Sequence, residues 1–497
     1  MAQPTRHKLH RQLQLFLSPL NSSRDGLLFL LLRPIFSSFF RGLRGFFFFF
    51  FFVFFWTLFV AGAVDAQETN PVDKQALFEL MYSINYENDW LSYYPDPCMG
   101  GPQGIVCEPD AVTGVYYVTQ LEFGFISPIT SIIPCSNNAT IPPASIAKFT
   151  HLDTVAFYNC FMDTNNTVTI PSEIGQLGTT LRLLSFTGNT GLVGGIPPEL
   201  GALTGLKRLV LVENGLQGSI PQELGNLTSL TQLDISHNCL TGQIPGSLAG
   251  LRNLVNLDIR YNRLDGVFPP AFGSGFPALQ RLALSYNQLQ GSLPDMFTDL
   301  PALSLLDLSF NNFSGTLPPS LGSLSNLQDL FLSVNGIGGE IPSSLGALQN
   351  LVVLDLSWSN YSGTIPSSFK NLQNLRYLGL SNNRLTGTIP ASLASLPYIF
   401  TLNLEANDLS GPLPFPISFV QKMGQNLVVR GNPGLCYNSQ MVNMGVEPCS
   451  NNSSLTNASA PSSVSPSASS PQHGRNPSIF LTLAFLISFL YTVLCIL

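Results

Sequence analysis

Apolar residues recur along residues 181–411 at the same offsets, with a period of about 24 residues. In the copy that starts at Leu327, leucines stand at Leu327, Leu330 and Leu332, followed by Asn335 and a turn that ends in Ile-Pro342. Neighbouring copies begin at Leu206, Leu230, Leu254, Leu279, Leu303, Leu351, Leu375 and Ile399. One copy cannot bury its own leucines, so the copies must stack on one another.

Each copy contains a short strand followed by a turn. In the copy at Leu254, Leu257 and Ile259 alternate with Asn256, Asp258 and Arg260, which predicts a strand with its apolar side chains inward. The Gly-x-Ile-Pro and Leu-Gly-x-Leu segments supply the turn and a short helical convex side. The pattern predicts an α/β solenoid of leucine-rich repeats whose strands line one concave surface, and its repeated turn resembles that of a plant-type leucine-rich-repeat superhelix.

An asparagine follows each strand, where its amide can satisfy backbone groups that would otherwise be buried unpaired. We call these residues the asparagine ladder: Asn189, Asn214, Asn238, Asn262, Asn287, Asn311, Asn335, Asn383 and Asn407. Ser359 stands where another asparagine is expected. Its hydroxyl is shorter than an amide, so we expect a weakened rung, with a local distortion as the alternative.

Cysteines cluster at both ends of the repeats. They are Cys98, Cys107, Cys135 and Cys160 before them, and Cys436 and Cys449 after them. A solenoid exposes apolar ends, so we expect disulfide-stapled N- and C-terminal caps in an oxidising compartment. Proximity favours pairing in chain order, although the four N-terminal cysteines allow three connectivities. Cys239 is left over, and we expect a free thiol there rather than an intermolecular bridge.

Residues 74–81 precede the repeats with helical spacing of apolar side chains, and Trp90 follows them. We expect Trp90 to plug the open end of the core rather than to stack on a ligand.

Both ends of the chain predict targeting segments. Arg41 and Arg44 precede an apolar run and then small residues, which is typical of a secretory signal cleaved near Ala63 or Ala66, with an uncleaved anchor as the alternative. The last apolar run predicts either a glycosylphosphatidylinositol (GPI) signal or a transmembrane anchor. The expected segments are a leader at 1–66, an N-terminal cap at 67–117, repeats at 118–434, a C-terminal cap at 435–450, a Ser/Pro-rich stalk at 451–478 and a hydrophobic tail at 479–497.

Charge argues against nucleic acid as a partner. The chain has 22 basic and 29 acidic residues, of which 7 and 2 lie in the leader, so 15 and 27 remain and the net charge of that part is −12. Glycosylation sequons at Asn138, Asn165, Asn226, Asn312, Asn360, Asn451, Asn452 and Asn457 fit an extracellular surface.

The residues just before the ladder, which we expect at exposed strand positions of the concave surface, form a column that is rich in rings. His237, Tyr261, Tyr286, Phe310 and Trp358 place five rings in six copies, and Arg260 and Arg281 lie in neighbouring columns. A contiguous exposed aromatic stripe is typical of a partner-binding surface. The alternative is that the rings pack along the solenoid. Aspartates in the neighbouring columns fit strand-side hydrogen bonds as well as they fit a basic peptide.

Nothing in the sequence indicates an enzyme. Beyond the leader the only histidines are His151, His237 and His473, and none lies near a nucleophile motif. No phosphate loop and no Cys-x-x-Cys spacing occurs, so we expect neither a cofactor nor a metal.

The stretch from Asn88 to Asp110, with Trp90, Cys98 and Cys107, is followed by Leu121-Glu-Phe-Gly124 and by Phe157-Tyr-Asn-Cys160-Phe161. With the repeats, these motifs resemble plant leucine-rich-repeat receptor-like proteins of the Piriformospora indica-insensitive protein 2 and TOO MANY MOUTHS type, over residues 73–450.

That resemblance implies a plasma-membrane receptor without a kinase. It would bind a secreted peptide, a leucine-rich-repeat receptor-kinase ectodomain, or both, as a co-receptor in development or in response to microbes. The alternative is a secreted or wall-associated inhibitor of microbial cell-wall-degrading enzymes, which would use the same concave face.

Overall fold

The computed structural model of the chain describes residues 68–127, 130–437 and 445–449. The predicted leader, stalk and hydrophobic tail, and the sequons at Asn451, Asn452 and Asn457, lie outside those residues. Within the described ranges, no helix combines the length and the apolar character needed to cross a bilayer.

One continuous main sheet runs through the described chain. Its path contains β1 (Ile105–Pro109), β2 (Tyr116–Ser127), β4 (Thr154–Tyr158), β5 (Leu183–Thr187), β7 (Arg208–Val212), β9 (Gln232–Asp234), β11 (Asn256–Asp258), β13 (Arg281–Ala283), β15 (Leu305–Asp307), β17 (Asp329–Phe331), β19 (Val353–Asp355), β21 (Tyr377–Gly379), β23 (Thr401–Asn403) and β25 (Leu427–Val428), and β3 (Thr130–Ser131) pairs with β2. From β2 to β25 the strands on this path are parallel, whereas β1 pairs antiparallel with β2. We call the outward side of this sheet the concave face.

Short strands after the ladder form a second, lateral row of sheets. They are β6 (Val193–Gly194), β8 (Gly215–Gly218), β10 (Cys239–Gln243), β12 (Arg263–Asp265), β14 (Gln290–Ser292), β16 (Asn312–Ser314), β18 (Gly338–Glu340), β20 (Asn360–Gly363), β22 (Arg384–Gly387), β24 (Asp408–Pro412), β26 (Gly434–Tyr437) and β27 (Glu447–Pro448). This row is divided into three sheets, with breaks after β12 and after β16.

The convex side consists mainly of short 3-10 helices, as the Leu-Gly-x-Leu segments predict. They are η1 (Ser172–Leu177), η2 (Pro198–Ala202), η3 (Gln222–Asn226), η4 (Gly246–Gly250), η5 (Phe297–Asp299), η6 (Pro319–Ser323), η7 (Ser343–Ala347), η8 (Ser367–Asn371), η9 (Ala391–Ser395) and η10 (Gly424–Asn426). Most begin directly after a proline, whose fixed φ suits a helix start. The repeated leucines, such as Leu254 and Leu257, are 0% exposed between the two sides.

The α-helices are α1 (Pro71–Ile84), α2 (Trp90–Tyr93), α3 (Pro143–Ile146), α4 (Phe272–Gly275) and α5 (Ile417–Met423). Helix α1 covers the N-terminal end of the core. The side chain of Asn70 caps it by accepting hydrogen bonds from the N–H groups of Val72 and Asp73. Asp73 in turn accepts from the N–H of Val118 at 2.9 Å, which ties the helix to β2.

Disulfides close both ends of the described solenoid. The structure joins Cys98 to Cys107, Cys135 to Cys160, and Cys436 to Cys449, the same pairs that proximity along the chain favours. Trp90 is 5% exposed and packs in the core cluster at the N-terminal end, where the sequence predicts a plug. The prediction of a free thiol at Cys239 is wrong: its side chain is only partly buried, so a second sulfur can reach it, and it is disulfide-bonded.

The asparagine ladder bonds successive coils together. Asn311 accepts from the N–H of Leu289 in the preceding coil at 3.0 Å and donates to the carbonyl of Leu284 in that coil at 3.0 Å. It also donates to its own Leu308 carbonyl at 3.2 Å. The ladder extends to Asn432, which accepts from Leu409 N–H at 3.1 Å and which the repeat pattern did not single out.

The coil at Ser359 lacks its rung. Asn383 accepts from the N–H of Tyr361 at 3.0 Å, but in the coil before it no asparagine faces the N–H of Ile337. The hydroxyl oxygens of Ser357, Ser359 and Tyr361 are all buried without a hydrogen-bond partner among the described residues. The serine therefore does not replace the amide, because its side chain is too short to bridge two coils.

Candidate functional site

The residues of the predicted binding column adopt one unusual backbone conformation. In nine coils the residue before the ladder position has a φ between +52° and +57°: Glu213, His237, Tyr261, Tyr286, Phe310, Val334, Trp358, Asn382 and Ala406. This left-handed conformation turns the chain off the strand. The column therefore lies at the edge of the concave face, whereas the sequence analysis places it on the strands. Strand β11, for example, ends at Asp258, three residues before Tyr261.

Four rings of the column stack face to face. The ring centroids are 4.2 Å apart for His237 and Tyr261, 4.2 Å for Tyr261 and Tyr286, and 4.1 Å for Tyr286 and Phe310, with interplanar angles of 18°, 11° and 9°. The spacing of neighbouring strands brings equivalent side chains close to this distance. We call this set the ring stack. Trp358 lies two coils beyond Phe310, with Val334 between them.

The rings are half-buried, whereas the sequence predicted an exposed stripe. The difference has a physical cause, because rings that stack cover each other's faces and leave only their edges to solvent. The edges of Tyr286 and Phe310 line a lateral groove of about 540 Å³ whose other residues include Arg263, Asp265 and Asn312. The rings thus pack along the solenoid, which is the alternative given in the sequence analysis, and a polar groove lies beside the stack.

Acidic side chains on the concave face are held by neighbouring donors. Asp258 makes a paired contact with Arg260, from Nε to Oδ1 at 2.9 Å and from Nη2 to Oδ2 at 2.7 Å. Asp307 accepts from the hydroxyls of Ser285 and Ser309, both at 2.6 Å. These contacts are the strand-side hydrogen bonds that the sequence analysis left open, so Arg260 is already oriented by its partner.

Burial raises the pKa of three other carboxyls on the main sheet or next to it, those of Asp234, Asp329 and Asp355. At Asp234 the charge of Asp258 on the adjacent strand adds to this effect, while a 2.7 Å hydrogen bond from Ser236 opposes it. Next to Asp355, burial and then the aspartate charge raise the pKa of Tyr377 to about 12. The concave face thus presents partly desolvated carboxyls. A cation beside them would stabilise their charged form.

The C-terminal half of the concave face is more apolar than the sequence analysis recognised. Phe331, Val353 and Tyr377 occupy adjacent strands with half-buried side chains, and Phe400, which directly precedes β23, is 67% exposed. The available signal was the apolar residue type at strand positions that elsewhere carry Asp, Asn or Arg. Arg281, the other predicted contact residue, is exposed on β13, near the middle of the main sheet.

The five sequons within the described residues lie off the concave face. Asn138 and Asn165 are in loops, Asn226 ends η3, and Asn312 and Asn360 begin strands of the lateral row. All five asparagines are exposed. Any glycans attached at these positions would leave the main sheet open to a protein or peptide, although a glycan on Asn312 would lie in the groove beside Tyr286 and Phe310.

In the part of the chain that the structure describes, no group of three or more His, Cys, Asp or Glu side chains could hold a metal ion.

Comparisons with known proteins agree with this architecture. Family models described as leucine rich repeat match residues 204–264, 252–313, 326–348 and 349–409. Protein TOO MANY MOUTHS of Arabidopsis thaliana is 39% identical over 143 residues, which are 29% of this chain and 28% of that protein. Piriformospora indica-insensitive protein 2 of the same plant is 37% identical over 157 residues, covering 30% of this chain and 35% of that protein.

Receptor like protein 29 of A. thaliana is 39% identical over 148 residues, covering 29% of this chain and 30% of that protein. The matches thus span about a third of the length of these curated relatives.

Among solved structures, that of a TDR receptor is 32% identical with a TM-score of 0.54 and covers 60% of this chain and 50% of that one. The structure of PEPR1-AtPEP1 is 26% identical with a TM-score of 0.56 and covers 73% of this chain and 51% of that one. The stacked repeats, the stapled caps and these similarities together show a leucine-rich-repeat solenoid that is similar, over part of its length, to plant receptor-like proteins.

Proposed function

We propose that this chain is a cell-surface receptor-like protein that binds a secreted peptide, a leucine-rich-repeat receptor-kinase ectodomain, or both. Binding takes place on the concave face and along the ring stack at its edge. The protein acts at the extracellular side of the plasma membrane, attached through its C-terminal tail by a GPI anchor or a single transmembrane segment.

The observation that carries this proposal is the contrast between the faces of the solenoid. The concave face combines oriented charges with apolar side chains such as Tyr377, the ring stack lies along its edge, and no sequon of the described residues lies on the face itself. Buried aromatic and arginine anchors are the usual energetic centres of protein interfaces. The matched structure of PEPR1 with AtPEP1 supports a peptide as one kind of partner.

The proposed contact residues have distinct roles. Tyr261, Tyr286 and Phe310 present ring edges already fixed by stacking, so little side-chain entropy is lost on binding. Arg260 is held by Asp258 and presents its remaining donors in a set direction. His237 and Trp358 extend this surface along the column, and the exposed Arg281 lies on β13.

Signalling follows from linkage between binding events. The described residues form a solenoid and its caps, so the proposed action is to change how a kinase-bearing partner binds its ligand. A protein that binds one state of a partner more tightly shifts the partner toward that state, and the coupling is reciprocal.

Affinity capture with the full-length protein tests this function. The protein is displayed on plant cells, mixed with plasma-membrane extract and with microbial culture filtrate, and its bound proteins are identified by mass spectrometry. Recovery of receptor kinases with repeat ectodomains supports the proposal. Recovery of a microbial wall-degrading enzyme alone would instead assign the chain to the inhibitor class.

The anchor is tested separately with a phospholipase that cleaves GPI lipids. Release of the protein from treated cells supports the GPI anchor, and retention supports a transmembrane segment.

A further inference from the structure

Exposed apolar side chains are concentrated on the N-terminal cap. Fourteen large apolar side chains are exposed in the described residues, of which eight lie in the cap and a ninth, Phe125, lies farther along strand β2. These nine are Val72, Tyr82, Tyr86, Leu91, Tyr93, Met99, Val106, Val112 and Phe125. The cap is a small part of the described chain, and such a concentration of exposed apolar groups is typical of an interaction surface.

Part of this surface is a groove of about 500 Å³. Its lining includes Tyr93, Tyr94, Pro102, Ile132 and Pro134, together with the buried Trp90. Tyr93 is 70% exposed, so it is available to a partner without any rearrangement. The groove therefore offers aromatic rings and proline rings on the same concavity.

Hydrogen bonds fix the groove from both sides. Trp90 donates from Nε1 to the carbonyl of Asn85 at 2.7 Å, and its ring stacks with that of Tyr94 at 6.2 Å. The side chain of Asn85 also donates to the carbonyl of Pro134 at 2.9 Å. Asn85 thus links the two walls, and a groove held in this way loses little freedom when it binds a ligand.

The charges nearby are acidic. Glu87 and Asp89 are exposed in the turn that leads into α2, and neither forms an ion pair among the described residues. Lys74, a basic residue of the same cap, is already paired with Asp96 at 3.3 Å. Asn88, which stands between these two acids, lines the groove, so the acidic turn next to the groove favours a positively charged partner.

We propose that this cap groove binds an extended, proline-containing segment of another protein that carries a basic residue beside its prolines. Proline-rich segments are already extended before they bind, and they dock in grooves lined by aromatic rings. Prolines occupy the space between Tyr93 and Pro134, and the basic residue meets Glu87 and Asp89. The site is separate from the concave face and does not depend on the function proposed for that face.

The test uses the full-length protein with Trp56→Phe and Trp358→Phe, which leaves Trp90 as its single tryptophan. The probe is a synthetic oligoproline with a pair of lysines at one end. One control peptide replaces the prolines with glycines, and a second replaces the lysines with glutamates. Emission of Trp90 reports events in the groove, and calorimetry measures binding independently of the fluorophore.

We expect the proline–lysine peptide to change the Trp90 emission saturably and both control peptides to bind at least about tenfold more weakly. Tyr93→Ala should weaken binding by about tenfold, because it removes an exposed ring that contributes little to the core. Tyr398→Ala, which removes a 58% exposed ring at the other end of the repeats, should have no effect.

Three results would overturn the proposal: no binding of the proline–lysine peptide by calorimetry, equal binding of the glycine peptide, or unchanged affinity in Tyr93→Ala. Equal binding of the glutamate peptide would remove the basic residue from the recognised segment and so contradict the proposal as stated.

Discussion

The rings of Tyr261 and Tyr286 lie 4.2 Å apart and within 11° of parallel, although 25 positions separate them along the chain. Both residues have left-handed backbone conformations, so each copy of the turn points its ring in the same direction. The contact thus depends on the repeat geometry as well as on the two side chains.

We expect the two rings to be energetically coupled. In a double-mutant cycle with Tyr261→Ala and Tyr286→Ala, the coupling to the free energy of unfolding should be about 1 kcal/mol, because stacked aromatic pairs contribute beyond their buried area. Urea unfolding measures each variant. Tyr286 paired with the distant Tyr398 is the control, for which the coupling should be near zero; an equal coupling there would contradict a specific stack.

Val334 is a strained member of the column. Its φ is +56°, and a β-branched side chain is poorly tolerated in this conformation, whereas the chain itself places Asn382 there with a φ of +57°. Val334→Asn should therefore raise the free energy of unfolding by about 0.5–1 kcal/mol. Val210→Asn, within strand β7, should lower it. Destabilisation by both changes to the same extent would show that backbone strain is not the controlling effect.

Restoring the missing rung in the coil at Ser359 should stabilise the folded protein. Ser359→Asn supplies an acceptor for the N–H of Ile337, as Asn383 does for Tyr361 at 3.0 Å. We expect the free energy of unfolding to increase by about 1 kcal/mol, the typical net value of a hydrogen bond. The reverse change, Asn383→Ser, should destabilise by at least as much in the same urea experiment. A loss of stability in Ser359→Asn would mean that the coil has repacked around the serine.

Asp234 should make the protein less stable as the pH rises. Burial raises the pKa of Asp234 in the folded state, so the unfolded state loses its proton first as the pH rises. The contribution of Asp234 to the free energy of unfolding therefore falls as the pH rises above the ordinary aspartate pKa. Asp234→Asn keeps an oxygen acceptor for Ser236. The variant should be stabilised relative to the parent at about pH 7, with the difference vanishing near pH 3.

Asp110 provides a control of opposite sign. Hydrogen bonds from Thr113, first from its N–H and then from its hydroxyl, lower the pKa of Asp110, so its stabilising effect is present above the ordinary range and lost in acid. Asp110→Asn should therefore be destabilised mainly at about pH 7. The same sign of pH dependence in both variants would contradict these assignments.

The fold could be predicted from the sequence because each copy repeats the same local rule many times. Leucine spacing predicts the strands and the buried face, and the asparagines predict the bonds between coils, down to the weak rung at Ser359. The continuation to Asn432 was missed because the coil at Leu427–Val428 lacks the full repeat pattern.

The candidate site was harder to predict, because it depends on side-chain directions that residue types do not determine. The column containing Tyr261 was expected on exposed strand positions, but the left-handed turn moves it to the sheet edge and lets its rings cover one another. The apolar positions around Tyr377 and the cap groove at Tyr93 depend on contacts between distant segments. No single copy of the repeat contains that information.

The central claim is that the concave face and its ring stack bind a protein partner. The most direct test is to measure the affinity of the captured receptor-kinase ectodomain for the full-length protein, for the combined Tyr261→Ala and Tyr286→Ala variant, and for Tyr398→Ala. The account predicts a loss of about 2 kcal/mol or more in the combined variant, with folding confirmed by urea unfolding, and no loss in Tyr398→Ala. Unchanged affinity in a folded combined variant would contradict it.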